Sequence, residues 1–123
     1  MIYVHLATGF EEIEALSVTD VLRRAGADVK TVSVTGEKTV EGAHGISVMA
    51  DILFEADYKN CEMMVLPGGM PGTLNLGRHQ GLCRELSNAA ETGKWVCAIC
   101  AAPMILGSLG ILEGKRATIY PGM

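Results

Sequence analysis

The chain has 123 residues, 49% hydrophobic and 20% charged, with a formal net charge of −4. That length suits one compact domain, spanning 1–123, and the composition excludes a disordered segment. The acidic balance and the lack of any long basic run argue against nucleic-acid binding, and no stretch is long and apolar enough to suggest a membrane span.

Ile2–Leu6 predicts a short buried strand, followed by a turn at Ala7–Phe10. Glu12–Ala25 predicts a helix, with Ile13, Leu16, Val18, Val21, Leu22 and Ala25 near helical spacing and Gly26 as its stop. Glu11 and Glu12 are explained as exposed acids at a helix N-terminus. Val29–Val34 predicts a second strand. Thr39–Val40 and Ile46–Val48 predict a hairpin around the Gly-flanked tip at His44. Asp51–Ala56 is a connector with room for one short extended piece. Glu62–Leu66 predicts a buried strand that runs into the loop Pro67-Gly68-Gly69-Met70-Pro71-Gly72. After a helical turn near Leu74–Leu76 comes a helix over His79–Thr92, closed by Gly93. Trp95–Ile99 predicts another strand, Ala101–Leu109 a helix, and Ala117–Tyr120 the start of a further strand. Strands alternating with helices predict an α/β doubly wound, mostly parallel sheet with helices on both faces. Ending on a newly begun strand leaves that architecture unfinished, as in a fragment or one piece of a nicked protein.

The opening Met1–Leu6 lacks a basic leader and is soon followed by Glu11, Glu12 and Glu14, which does not suit a signal peptide; the expected location is cytoplasmic. In that compartment Cys61, Cys83, Cys97 and Cys100 are expected to be thiols. Cys97 and Cys100 have C-x-x-C spacing. No second such pair and no nearby pair of histidines accompany them, so neither a metal nor another cofactor is expected.

Cys100 stands where a strand gives way at once to a helix. Such a turn lifts one side chain out of the sheet, as in a nucleophile elbow. Ala98 and Ala102, two residues to either side, are small enough for the tight turn, and Pro103 suits a first helical turn. A helix N-terminus beside the thiol would favour the thiolate. The competing reading is a cysteine that simply packs. The loops after Leu6, Leu66, Ile99 and Tyr120 would all leave from the carboxyl ends of strands, where open α/β sheets bind ligands. The backbone N–H groups of Gly69 and Ala101 are the expected oxyanion donors, with Gly68 beside them. Glu14, flanked by Ile13 and Ala15, would face inward, hold a proton and relay it to and from the sulfur. His5 in a buried strand, His44 and His79 are poor candidates for a catalytic base.

The segments Phe10-Glu11-Glu12-Ile13-Glu14-Ala15, Asp20-Val21-Leu22-Arg23-Arg24-Ala25-Gly26, Val65-Leu66-Pro67-Gly68-Gly69 and Ala98-Ile99-Cys100-Ala101-Ala102-Pro103 together resemble the ThiJ/PfpI superfamily, in particular its DJ-one-like branch. The resemblance runs along almost the whole chain. It implies a flavodoxin-like fold and a homodimer. Cys100 would match the reactive, oxidisable cysteine and Glu14 the protonated glutamate bonded to it. Gly69 and Ala101 would match the backbone donors. It also implies a cofactor-free enzyme acting on reactive dicarbonyls or glycated proteins, of the glutathione-independent glyoxalase or deglycase type. The alternative is a stress sensor or chaperone that works through oxidation of Cys100. Ala101 stands where the protease-like branch has histidine, which argues against a peptidase. Tyr120 stands before Pro121, where the DJ-one-like branch often has histidine; its phenol could bind a substrate oxygen but is a poor base near neutrality. The family continues beyond position 123.

Overall fold

The structure, a computed structural model, describes residues 1–55 and 57–123. Its elements in chain order are β1 (Ile2–Leu6), α1 (Glu12–Arg24), β2 (Val29–Ser33), β3 (Thr39–Glu41), β4 (Ser47–Met49), β5 (Ile52–Leu53), β6 (Met63–Leu66), α2 (Gly72–Gly77), α3 (Gln80–Glu91), β7 (Trp95–Ala98) and α4 (Pro103–Ser108). The central sheet has the order β5-β2-β1-β6-β7, and every pairing in it is parallel. The hairpin β3–β4 stands apart as a two-stranded antiparallel ribbon. Ala56, the end of the expected connector, lies outside the described residues; within the connector, Ile52–Leu53 pairs with β2 as the short edge strand β5.

Alternation along the strands divides the core into two layers. Ile2, Val4, Leu6 and Val65 pack on one face with Ala15 of α1 and with Val40 of the hairpin. Met64 and Leu66 pack on the other with Leu76, Leu82, Leu86 and Ile105 of α2, α3 and α4. Helices therefore cover both faces, as the sequence predicts. His5 points into the second layer and is fully buried. Its Nδ1–H donates to the Val65 carbonyl at 3.1 Å, since a carbonyl can only accept. Nε2 is then left to accept from the Tyr58 hydroxyl at 2.8 Å. Burial lowers the His5 pKa to about 4 and raises that of Tyr58, so both groups stay neutral.

Three local expectations are corrected. In α1 the buried residues are Glu12, Ala15 and Thr19, while Ile13, Leu16 and Val21 face outward. The apolar periodicity thus marks two faces of one helix, only one of which meets the sheet. Helix α4 is shorter than its apolar run, beginning at Pro103 after a turn through Ala101 and Ala102. Ala117–Tyr120 forms no strand; it lies exposed or half-exposed, tied to the elbow by the Tyr120 N–H donating to the Cys100 carbonyl at 2.8 Å.

Candidate functional site

Strand β1 pairs with β2 on one side and β6 on the other, so the chain reverses direction across the sheet between β1 and β6. Loops leaving the carboxyl ends of strands diverge at such a point and leave a crevice. The loops after β1, β6 and β7 bring the expected site residues to it.

Cys100 has φ 62°, alone among the described non-glycine residues in having a positive value. A side chain in that region is strained and persists only where its surroundings impose it. Here they do. The Ile99 N–H donates to the Leu66 carbonyl at 3.2 Å, extending the pairing of β7 with β6 by one residue. The Ala102 N–H then closes the turn on the Ile99 carbonyl at 3.0 Å. Between these two bonds Cys100 is forced out of the sheet, half-buried and beside Glu14. Cys97 remains in the sheet and packs partly against the α1 layer. All four cysteines are free thiols.

Glu14 lies in the first turn of α1. Its Oε1 accepts the Gly68 N–H at 2.8 Å, while the Gly68 carbonyl accepts the Glu11 N–H at 2.9 Å. Both backbone polar groups of Gly68 are thereby clamped to the start of α1. Gly68 also has to be glycine on steric grounds. A Cβ there would fall 2.7 Å from Glu14 Oε1, 2.8 Å from Cys100 Cβ and 3.0 Å from the Ile99 carbonyl oxygen. Next to it Gly69 has φ +95°, and a Cβ would meet the Glu11 nitrogen. The Gly68 N–H, expected beside the oxyanion donors, is engaged by Glu14 in this structure. The Gly69 N–H makes no hydrogen bond among the described residues, and the Ala101 N–H faces the Cys100 sulfur.

The electrostatics correct the expectation of a thiol acidified by a helix end. Burial raises the Cys100 pKa above its ordinary value, the Glu14 carboxylate adds to this, and only the Ala101 N–H opposes it. Burial raises Cys61, Cys83 and Cys97 as well. Cys100 thus differs from the other thiols in its backbone and its neighbour rather than in the direction of its shift. The Glu14 contribution carries a sign that depends on a proton. An ionised carboxylate repels a thiolate, whereas a protonated one donates to it.

Glu12, expected to be an exposed acid, is buried. Its carboxylate accepts the backbone N–H groups of His44 at 2.8 Å and Ile46 at 3.2 Å, and His44 Nδ1 lies 2.9 Å from Oε1. These bonds outweigh its desolvation and lower its pKa to about 2, and the same contacts raise that of His44. His79 is the N-cap of α3, where its Nδ1 accepts the Leu82 N–H at 3.0 Å. Tyr120 reaches the site through its backbone, and its ring is exposed.

Fold and site together define a flavodoxin-like α/β domain with a cysteine elbow at the switch point of its sheet. The chain belongs to the DJ-1/PfpI family, whose family model matches residues 1–123, and within it to the DJ-1-like branch. It is 39% identical over 122 residues to Protein DJ-1 homolog A of Arabidopsis thaliana, covering 98% of this chain and 31% of that protein. It is 35% identical over 121 residues to Protein dj-1beta of Drosophila melanogaster, covering 98% and 65%. A deglycase of Pyrococcus horikoshii is 33% identical over 120 residues, with 95% and 70% covered. The structure of oxidized DJ-1 from Toxoplasma gondii superposes with a TM-score of 0.92 at 39% identity, covering 98% of this chain and 66% of that one. The chain thus spans about a third of the Arabidopsis relative and about two thirds of the fly one. No helix among the described residues is long and apolar enough to cross a membrane.

Proposed function

We propose that the protein is a cofactor-free cysteine enzyme acting on small reactive dicarbonyls, of the glyoxalase or deglycase type. The observation that supports this most is the contact of Glu14 with both the Gly68 amide and the Cys100 thiol, which sets a proton carrier beside a nucleophile. The Cys100 sulfur adds to the aldehyde carbon of a 2-oxoaldehyde as its proton passes to Glu14. The resulting oxyanion faces the N–H groups of Gly69 and Ala101 and takes that proton back from Glu14, giving a hemithioacetal and an ionised carboxylate. Glu14 then removes the hydrogen from that carbon and returns a proton to the neighbouring carbon through an enediol. The product is a thioester of the 2-hydroxy acid. Water cleaves it, releasing the acid and restoring the thiol. The relatives named as deglycases agree with a carbonyl-directed site. The reading is tested by lactate release from methylglyoxal. It predicts turnover that disappears in Cys100→Ser, and full activity in that variant would overturn it.

A second reading rests on the same half-buried sulfur. Oxidation of Cys100 to the sulfinate, held by Glu14 and the neighbouring N–H groups, would make the protein a stress sensor or chaperone without turnover. Intact mass after mild peroxide treatment distinguishes it: selective gain of two oxygens at Cys100 supports it, and indiscriminate oxidation of all four thiols counts against it. For assembly we propose a homodimer, and for location the cytoplasm. The outward apolar residues Ile13, Leu16 and Val21 of α1 offer the dimer contact.

A further inference from the structure

Glu11, Glu12 and His44 each present one donor atom, and these three atoms lie within 4.8 Å of one another. His44 Nδ1 is 2.9 Å from Glu12 Oε1 and 3.6 Å from Glu11 Oε2. Ligands held at about 2.0–2.1 Å in a tetrahedral zinc shell stand roughly 3.3 Å apart, so the observed spacings bracket that value. The two acids are consecutive at the start of α1, and the histidine comes from the hairpin tip, 32 residues away from Glu12.

The arrangement is built before any ion arrives. Glu12 Oε2 is fixed by the backbone N–H groups of His44 and Ile46, which leaves Oε1 aimed at the imidazole. Backbone donors that lock the far oxygen of a carboxylate are the outer-shell support metal ligands commonly have. Gly42 makes room for it, since a Cβ there would collide with the Glu12 carboxyl group. The His44 side chain is 66% exposed and that of Glu11 23%, so the outer side stays open to water ligands. Two carboxylates against one imidazole leave negative charge for a divalent cation to neutralise.

We propose that Glu11, Glu12 and His44 form a binding site for a first-row divalent cation, Zn²⁺ foremost, that fastens the hairpin tip to the start of α1. The ion sits between His44 Nδ1 and the two carboxylates and takes the place of the hydrogen on Nδ1, so that the bound imidazole is neutral and carries its one hydrogen on Nε2. Water completes the shell. One imidazole nitrogen and two carboxylate oxygens form a donor set that suits zinc, cobalt and manganese. The proposal is independent of the chemistry at Cys100.

The test titrates the full chain with Zn²⁺ by calorimetry and with Co²⁺ by visible absorption. Expected are one ion per chain, cobalt bands without sulfur charge transfer, and a Zn²⁺-dependent rise in melting temperature. Glu11→Gln and His44→Ala should each weaken binding by about tenfold or more and remove the thermal shift. Glu11→Gln leaves the Glu12–His44 contact in place, so its effect separates metal binding from simple loss of the clasp. Cys100→Ser should bind the ion as the parent does. A sulfur charge-transfer band that vanishes in Cys100→Ser, an unchanged affinity in both Glu11→Gln and His44→Ala, or an absence of binding would overturn the proposal.

Discussion

Glu14 and Gly68, 54 residues apart in the chain, are joined by a 2.8 Å hydrogen bond that sets the carboxylate against the elbow cysteine. The bond uses a side chain of α1 and a backbone amide after β6, so it also pins the helix to the sheet. Any side chain at position 68 has to displace it. Gly68→Ala is expected to cost about 1–3 kcal/mol of stability, as overpacking does. It should also move Glu14 away from Cys100. Thermal melting together with the rate of dicarbonyl turnover checks both effects, and an alanine variant with the parent's stability and rate would contradict this account.

The proposed reaction gives Glu14 and Cys100 different tasks, and substitution can separate them. Glu14→Gln keeps an oxygen for the Gly68 N–H but cannot carry a proton. Turnover should fall by about 10²–10⁴-fold, the usual span for a lost acid–base group. Alkylation of Cys100 by iodoacetamide should persist, because removing the Glu14 charge does not lower the equilibrium share of thiolate. If alkylation and turnover are lost together, Glu14 holds the site's shape instead.

His5 makes the fold sensitive to acid. Its pKa lies near 4 when folded and near 6.5 when exposed. Between those values the unfolded chain binds a proton that the folded chain refuses, so stability is full above pH 6.5 and falls as the pH drops towards 4. The loss approaches about 3 kcal/mol at the acid end, from about 1.4 kcal/mol per pH unit. Urea midpoints across that window should fall for the parent and stay flatter for His5→Gln, whatever that variant's absolute stability. Glu12, with its pKa near 2, adds a separate loss at still lower pH.

The outer face of α1 tests assembly. Ile13 is 70% and Val21 62% exposed. If two copies meet there, Ile13→Glu combined with Val21→Glu should convert a dimer to a monomer in sedimentation without unfolding the helix. A parent that sediments as a monomer removes the dimer from the account.

Much of this was legible in the sequence, for local reasons. Apolar runs of strand length, the glycine stops and the small residues around Cys100 act over a few residues, and the structure places the sheet, the helices and the elbow accordingly. The errors arise where distant segments meet. Glu12 resembles any acid in a first helical turn until the hairpin tip folds over it. Gly68 resembles a flexible oxyanion donor until Glu14 takes its N–H. Ile13 and Val21 carry the same periodicity as core residues, and nothing local distinguishes an apolar face awaiting a partner from one packed on a sheet. Ala117–Tyr120 has strand composition, yet it makes no strand ladder.

The positive φ of Cys100 sets the proposed role of its thiol against the folding of the chain. Glycine accepts that conformation freely, whereas other residues are disfavoured there by about 1–2 kcal/mol. Cys100→Gly should therefore melt higher than Cys100→Ser while both remain inactive. Under the proposed function, the thiol is thus held at a cost in stability that glycine would remove.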